Sequence, residues 1–178
     1  MLRILFIFTT STQLIYSQNE DEVISLVSFF EFTKQDSADW TLPDNQDRIT
    51  SSVWITRKHN QSIFNISREN EYSVSYSSTL GTLWSNTPTE NTQSNDYTFF
   101  VSMHEGNPQS IINNTVSLYL PDYERYFDLI FLSFSGGNSG SGLFYTREEV
   151  FPDYLSSGNM KGRSIIPAYE GDLGNALN

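Results

Sequence analysis

Short apolar runs separated by turn residues follow one another along most of the chain. None of them keeps a helical period, and the intervals between them are rich in Pro, Gly, Asn and Asp. This pattern predicts an all-β fold, an antiparallel β-sandwich of about eight strands that is jelly-roll-like in its arrangement. The predicted strands are residues 23–32, 52–56, 62–66, 72–76, 97–103, 115–120, 126–134 and 143–146.

The run 126–134 differs from the others because its alternating positions are apolar on both faces. A strand that is apolar on both faces is covered on both. We therefore predict that this run is the central strand, with a loop or a partner over its outer side.

The first 17 residues have the parts of a secretory signal: Arg3, an apolar run over 4–8 and a small residue, Ser17. The alternative is an N-terminal strand or a membrane anchor, but a span needs about 18 apolar residues. We expect cleavage after Ser17, a β-sandwich domain over 18–150 and a loosely ordered, Gly- and Pro-containing tail over 151–178. The mature protein is then secreted or held at the cell surface without a membrane span.

The composition excludes several classes of site and partner. The chain has no cysteine and only two histidines, which excludes disulfide frameworks, thiolate sites and imidazole-rich metal sites. A net charge of -11 counts against a nucleic-acid partner, because that affinity rests on clustered Lys and Arg. Aromatic residues make up 15% of the chain and charged residues 17%, a balance that favours strands and leaves a surplus of aromatics.

Residues 135–144 read SGGNSGSGLF and resemble the nucleophile loop of chymotrypsin-fold serine proteases, above all the glutamyl endopeptidases. The resemblance implies Ser139 as the nucleophile, with the backbone amides of Ser139 and Gly137 as an oxyanion hole. It implies His59 as the base and Asp96 as the residue that orients it, in the chain order of that fold.

Spacing opposes this assignment. Only 43 residues separate Asp96 from Ser139, and they hold three strand-like runs, which is too little for the second barrel. The alternative is a flexible hairpin between two strands, in which glycines supply positive φ angles.

A second resemblance covers residues 29–147. It rests on DWTLPDNQDRIT at 39–50, VWITR at 53–57, the Gly-Thr-x-Trp of 81–84, and the glycine-rich hairpin that leads into FYTR at 144–147. These segments resemble a recurring module of exported and cell-surface bacterial proteins, a family without an established activity. The resemblance implies an exported β-rich domain, often attached to sorting or adhesive modules, and no required role for Ser139.

Asp44 and Asp47 lie in an oxygen-rich segment that could bind structural calcium, although it lacks the alternation and closing Glu of an EF-hand. The alternative, which we favour, is Asx-turn chemistry with a salt bridge to Arg48 or Arg57. We otherwise expect no cofactor.

Trp40, Trp54 and Trp84 are the candidate stacking platform for sugar rings, with Arg57 as a further ligand-binding candidate. Buried core tryptophan is the commoner role, so we expect two of the three in the core. The sequence predicts an exported, non-enzymatic binding or surface-interaction module whose partner is a glycan or a cell-surface protein. A secreted serine hydrolase and a purely structural subunit-packing module remain as alternatives.

Overall fold

The structure is a computed structural model, and it describes residues 29–73, 77–136 and 138–151. The predicted signal segment, and all of the predicted tail except Phe151, therefore lie outside the described residues. The strands are β1 (Phe30–Lys34), β2 (Asp47–Thr50), β3 (Val53–Arg57), β4 (Ile63–Asn65), β5 (Leu83–Ser85), β6 (Thr115–Leu120), β7 (Arg125–Phe134) and β8 (Leu143–Val150). One short helix, α1 (Phe100–Met103), and four 3-10 turns (Pro43–Asn45, Thr89–Asn91, Pro108–Ile111 and Pro121–Tyr123) complete the described elements.

The strands form two antiparallel sheets, a five-stranded sheet in the order β1-β8-β7-β6-β5 and a three-stranded sheet in the order β2-β3-β4. The predicted all-β class and the count of eight strands are confirmed. β2, β3 and β4 pair in chain order, and so do β5, β6, β7 and β8, whereas β1 pairs with the last strand, β8. Among the described residues no helix is long and apolar enough to cross a bilayer.

One predicted strand is wrong, most of another, 72–76, lies outside the described residues, and β2 and β5 were not predicted. Residues 97–103 contribute only a single bridge from Thr98 to Trp84, and the segment then turns into α1. The physical reason is the spacing of its apolar side chains: Phe100, Val101 and Met103 are all buried. A strand would send Phe100 and Val101 to opposite faces, whereas one helical turn brings all three toward the core.

The core lies between the two sheets, and both contribute inward-facing side chains. From the three-stranded sheet, Val53 and Ile55 are buried, and they alternate with the half-buried Trp54 on the opposite face. From the five-stranded sheet, Phe131 packs against the ring of Tyr145 at 5.1 Å between ring centroids. The aromatic surplus of the sequence therefore supplies much of the interior.

β7 is the central strand of the five-stranded sheet, as predicted. Its outer face is covered at one end only, where the backbone amide and the hydroxyl of Thr89 both donate to Asp128 at 2.8 and 2.6 Å. Farther along, Ile130 and Leu132 are 37% and 39% exposed. The predicted cover on the outer side is thus partial within the described residues.

A buried ion pair joins the two sheets. The carboxylate of Asp47 on β2 is fully buried and accepts hydrogen bonds from Nε and Nη2 of Arg147 on β8, at 2.8 and 2.9 Å. It also accepts from the hydroxyl of Tyr145 at 2.8 Å. Burial, followed by the charge of Asp47, raises the pKa of Tyr145 well above its usual value, so this hydroxyl remains a donor.

Candidate functional site

The structure brings two of the three protease-like residues toward each other and leaves the third apart. Ser139 and His59 are both exposed. They lie on neighbouring turns, because the amide of Asn60, next to His59, donates to the hydroxyl of Ser141 at 2.7 Å. Asp96 is exposed, and its carboxylate accepts from the amide of Gln93 in its own loop.

The loop of Asp96 lies at the opposite end of the sheet from Ser139. Thr98, two residues on, pairs with Trp84, which is in register with Leu118 and, through it, with Phe127. Phe127 is seven residues along β7 from Phe134, where the hairpin begins, a separation of roughly 23 Å at about 3.3 Å per residue. Within the described residues, no hydrogen bond joins Ser139, His59 and Asp96. The Gly137 amide lies outside that part of the chain.

Close packing explains two glycines, Gly140 and Gly142, of the hairpin between β7 and β8. The segment after β1 docks on it: the amide of Gly142 donates to Asp36 at 2.6 Å, and the amide of Ser37 donates to the carbonyl of Gly140 at 2.8 Å. A Cβ on Gly140 would stand 2.7 Å from the amide nitrogen of Ser37, and one on Gly142 would stand 2.7 Å from a carboxylate oxygen of Asp36. Glycine is therefore required for this contact, whatever the reactivity of Ser139.

Arg57, a predicted ligand-binding residue, is buried beneath the same hairpin and is 5% exposed. Its Nη1 donates to the carbonyl of Gly142 at 3.1 Å, its Nε to that of Gln61 at 2.7 Å, and its guanidinium lies over the ring of Phe134. Burial lowers its pKa to about 10. The side chain therefore links the β3–β4 hairpin, which contains Gln61, to the β7–β8 hairpin, and it is shielded from solvent.

The calcium candidates are separated. Asp44 is exposed on the 3-10 turn Pro43–Asn45, whereas Asp47 is buried and paired with Arg147 rather than with Arg48 or Arg57. No group of three or more His, Asp or Glu side chains in the described ranges is arranged to hold a metal ion.

The three tryptophans have two different environments. Trp84 is 1% exposed; its indole N–H donates to the hydroxyls of Thr79 and Thr82, and its ring packs on Phe100 at 4.9 Å between centroids. It is a core residue and cannot stack on a ligand. Trp40 and Trp54 are half-buried, and both lie on the outer face of the three-stranded sheet.

A continuous set of contacts joins these two tryptophans. The guanidinium of Arg48, opposite Trp54 in the sheet, lies 4.2 Å from the centre of that ring. Oε1 of Gln46 accepts from Arg48 at 2.9 and 3.1 Å, and Nε2 of Gln46 donates to the carbonyl of Trp40 at 3.2 Å. The ammonium of Lys58 lies 5.5 Å from the centre of the Trp40 ring. We call this set, Trp40, Gln46, Arg48, Trp54 and Lys58, the tryptophan face.

Local packing fixes the tryptophan face. The indole of Trp40 packs edge-on against Phe64 at 5.7 Å, and Phe64 is fully buried on the outer side of β4. The indole N–H of Trp54 donates to the carbonyl of Thr50 at 3.0 Å. The two rings therefore have fixed positions on a sheet, which is the condition for a preorganised binding surface.

The two cations of the tryptophan face differ in their partners. Lys58 forms a surface ion pair with Glu71 at 2.8 Å, and its hydrogen bond lowers the pKa of that carboxyl group. Arg48 is exposed, and no carboxylate in the described part of the chain pairs with it. Sequence reasoning identified the tryptophans but missed Gln46, Arg48 and Lys58 as site residues. Only the strand register places Arg48 opposite Trp54, and Gln46 enters the site through its contact with Arg48.

Away from the tryptophan face, an open cleft of about 420 Å³ lies beside the first residues of β6. Neutral polar side chains line it, including Asn86, Ser110 and Asn114, above an apolar floor that includes Met103 and Ile111. Its lining contains neither an aromatic ring nor a charged group.

Comparison of the chain with protein-family models, with curated proteins and with solved structures finds no match.

Proposed function

We propose that the chain is an exported, non-enzymatic binding module that holds a carbohydrate on the tryptophan face. The observation that carries the proposal is the fixed pair of half-buried indoles, Trp40 and Trp54, on one sheet face outside the core. Indole rings supply a large apolar surface at a small entropic cost, and that surface matches the C–H faces of sugar rings.

Hydrogen-bonding groups surround the two rings. Arg48 and Lys58 offer cationic donors beside the indoles, and sugar hydroxyls accept from such groups, whereas the buried amide of Gln46 donates to two backbone carbonyls. A site that combines apolar area with a few oriented polar groups is the usual composition of a ligand site. The export component of the proposal rests on the signal-like residues 1–17.

The experiment is a glycan array probed with the mature chain, followed by titration of the retained sugars. Trp54→Ala and Trp40→Ala should each weaken binding by about tenfold or more, since truncating a central aromatic costs roughly 2 kcal/mol. Phe99→Ala is the matched control, because Phe99 is an aromatic residue that is 41% exposed outside the tryptophan face. Its affinity should equal that of the parent chain.

Four outcomes would contradict the proposal. The array could remain blank, or binding could survive both tryptophan variants. Alternatively, a serine-directed phosphonate could label Ser139 in the parent chain, which would favour the hydrolase. A concentration-dependent dimer that Leu132→Lys abolishes, with no sugar bound, would instead favour the subunit-packing alternative.

A further inference from the structure

We infer that the tryptophan face is selective for sugars that carry a carboxylate, and that Arg48 is the residue that recognises the charge. The inference rests on the proposed carbohydrate function and names the ligand class of the same site. It goes beyond stacking, because stacking on Trp40 and Trp54 does not by itself distinguish an acidic sugar from a neutral one.

The guanidinium of Arg48 is held in place before any ligand arrives. Oε1 of Gln46 accepts from both Nε and Nη2, and the guanidinium lies over the Trp54 ring, 4.2 Å from its centre. Gln46 is itself fixed, since its Nε2 donates to the carbonyls of Trp40 and Thr41 at 3.2 and 3.0 Å. A side chain that is already oriented loses little conformational entropy on binding.

The remaining donors of Arg48 suit a carboxylate. Nε–H and one N–H of Nη2 point at Gln46. The other N–H of Nη2 and one N–H of Nη1 are left as a pair of parallel donors. Two carboxylate oxygens match such a pair in a bidentate geometry, and charge-assisted bonds of this kind are about twice as strong as neutral ones.

The other arginines of similar exposure have acidic partners within the protein. Arg68 pairs with Asp122 at 2.5 Å, and Arg125 pairs with Glu149 at 2.6 Å. Arg48 has no such partner among residues 29–73, 77–136 and 138–151, although the whole chain carries a net charge of -11. In an acidic protein, an exposed and immobilised guanidinium beside the Trp54 indole is thus available to an anionic ligand.

Recognition of the charge is local, because the net charge repels an anion at a distance. Asp44 is exposed two residues before Gln46 and contributes to this repulsion. Replacement of Asp44 by Asn should therefore strengthen the binding of an acidic sugar and leave the binding of a neutral one unchanged.

The experiment compares ligands that differ only in charge. Oligosaccharides of galacturonate, glucuronate and mannuronate are titrated calorimetrically into the mature chain beside their methyl esters. At least one acid form should bind about tenfold more tightly than its ester, the ratio that one charge-assisted contact provides. Arg48→Gln should reduce this ratio to about one, and Arg48→Lys should retain part of it. Arg125→Gln is the matched control and should keep the full ratio.

The failure of this inference is distinguishable from that of the proposed function. Equal binding of acid and ester, both lost in Trp54→Ala, would overturn the selectivity and leave the carbohydrate site standing. An acid preference that survives Arg48→Gln would overturn the role of Arg48. Tighter binding of a sulfated galactan oligosaccharide than of every carboxylated one would overturn the assignment to carboxylates. Binding of none of the six ligands would also overturn the inference, and the array would then decide the function.

Discussion

Removal of the Asp47 carboxylate should be among the most damaging single changes in the described part of the chain. Asp47 accepts three hydrogen bonds, two from Arg147 and one from Tyr145, and its side chain is 0% exposed. Asp47→Ala leaves the guanidinium of Arg147, which is 14% exposed, without its counter-ion between the rings of Phe30 and Phe127. It also leaves the buried Tyr145 hydroxyl without an acceptor.

The magnitude follows from that geometry. Breaking a buried ion pair by removing one partner costs about 3–5 kcal/mol, because the remaining charge has neither water nor a partner. Asp47→Asn keeps the shape and one acceptor, so its cost should be smaller, about 2 kcal/mol. The exposed pair of Arg68 and Asp122 is the control, and Asp122→Ala should cost no more than about 1 kcal/mol.

Urea unfolding of the three variants, at constant m-value, measures these free energies of unfolding directly. A loss below about 1 kcal/mol for Asp47→Ala would refute the reasoning, as would equal losses for Asp47→Ala and Asp122→Ala. The same urea experiment, carried out on the parent chain, tests the calcium alternative. If the ion pair is the role of Asp47, millimolar calcium should not change the unfolding midpoint of the parent chain.

Three further predictions concern the hairpin and the buried histidine. Gly140→Ala should lower the free energy of unfolding by about 1–3 kcal/mol, because φ is +98° and a Cβ would meet the backbone of Ser37. Gly136→Ala is the control: a Cβ there would have its nearest neighbour at 3.8 Å, so the variant should be near neutral in the same urea experiment. Ser139→Ala should leave stability and sugar binding unchanged, and a serine-directed phosphonate should label neither chain. Burial lowers the pKa of His104, so the unfolded state binds a proton at a higher pH than the folded state does. The free energy of unfolding should therefore be constant above about pH 6.5 and should fall as the pH drops through the folded pKa. His104→Phe should flatten the dependence between pH 7 and 5.5, and an unchanged slope would contradict this assignment.

The sequence predicted the all-β class from local patterns, since alternation and turn residues act over a few positions. It predicted the central position of β7 because a run with apolar residues on both alternating faces implies that both faces are covered. It failed at Phe100 and Val101, where adjacent apolar residues are compatible with either a strand or a buried helical turn. The surroundings of Trp84 decide between the two.

The candidate site was predictable in part. Trp40 and Trp54 were recognisable as candidate ligand-binding residues, but no local pattern separates them from Trp84. Their difference depends on which sheet face each ring occupies. The contribution of Gln46 and Arg48 depends on the register between β2 and β3, a long-range property that no local pattern encodes.

The amino-acid sequence alone determined that this chain forms a strand-rich domain with an aromatic interior and no cysteine or histidine-based metal chemistry. Residue types and short-range periodicity are sufficient for those statements. Only the tertiary structure decided that Asp47 pairs with Arg147 across 100 residues of chain, that the hairpin glycines serve close packing against Asp36 and Ser37, and that two tryptophans share one face. The physical reason is that partners, burial and open surface are set by strand order and register, and these follow from the packing of the whole core.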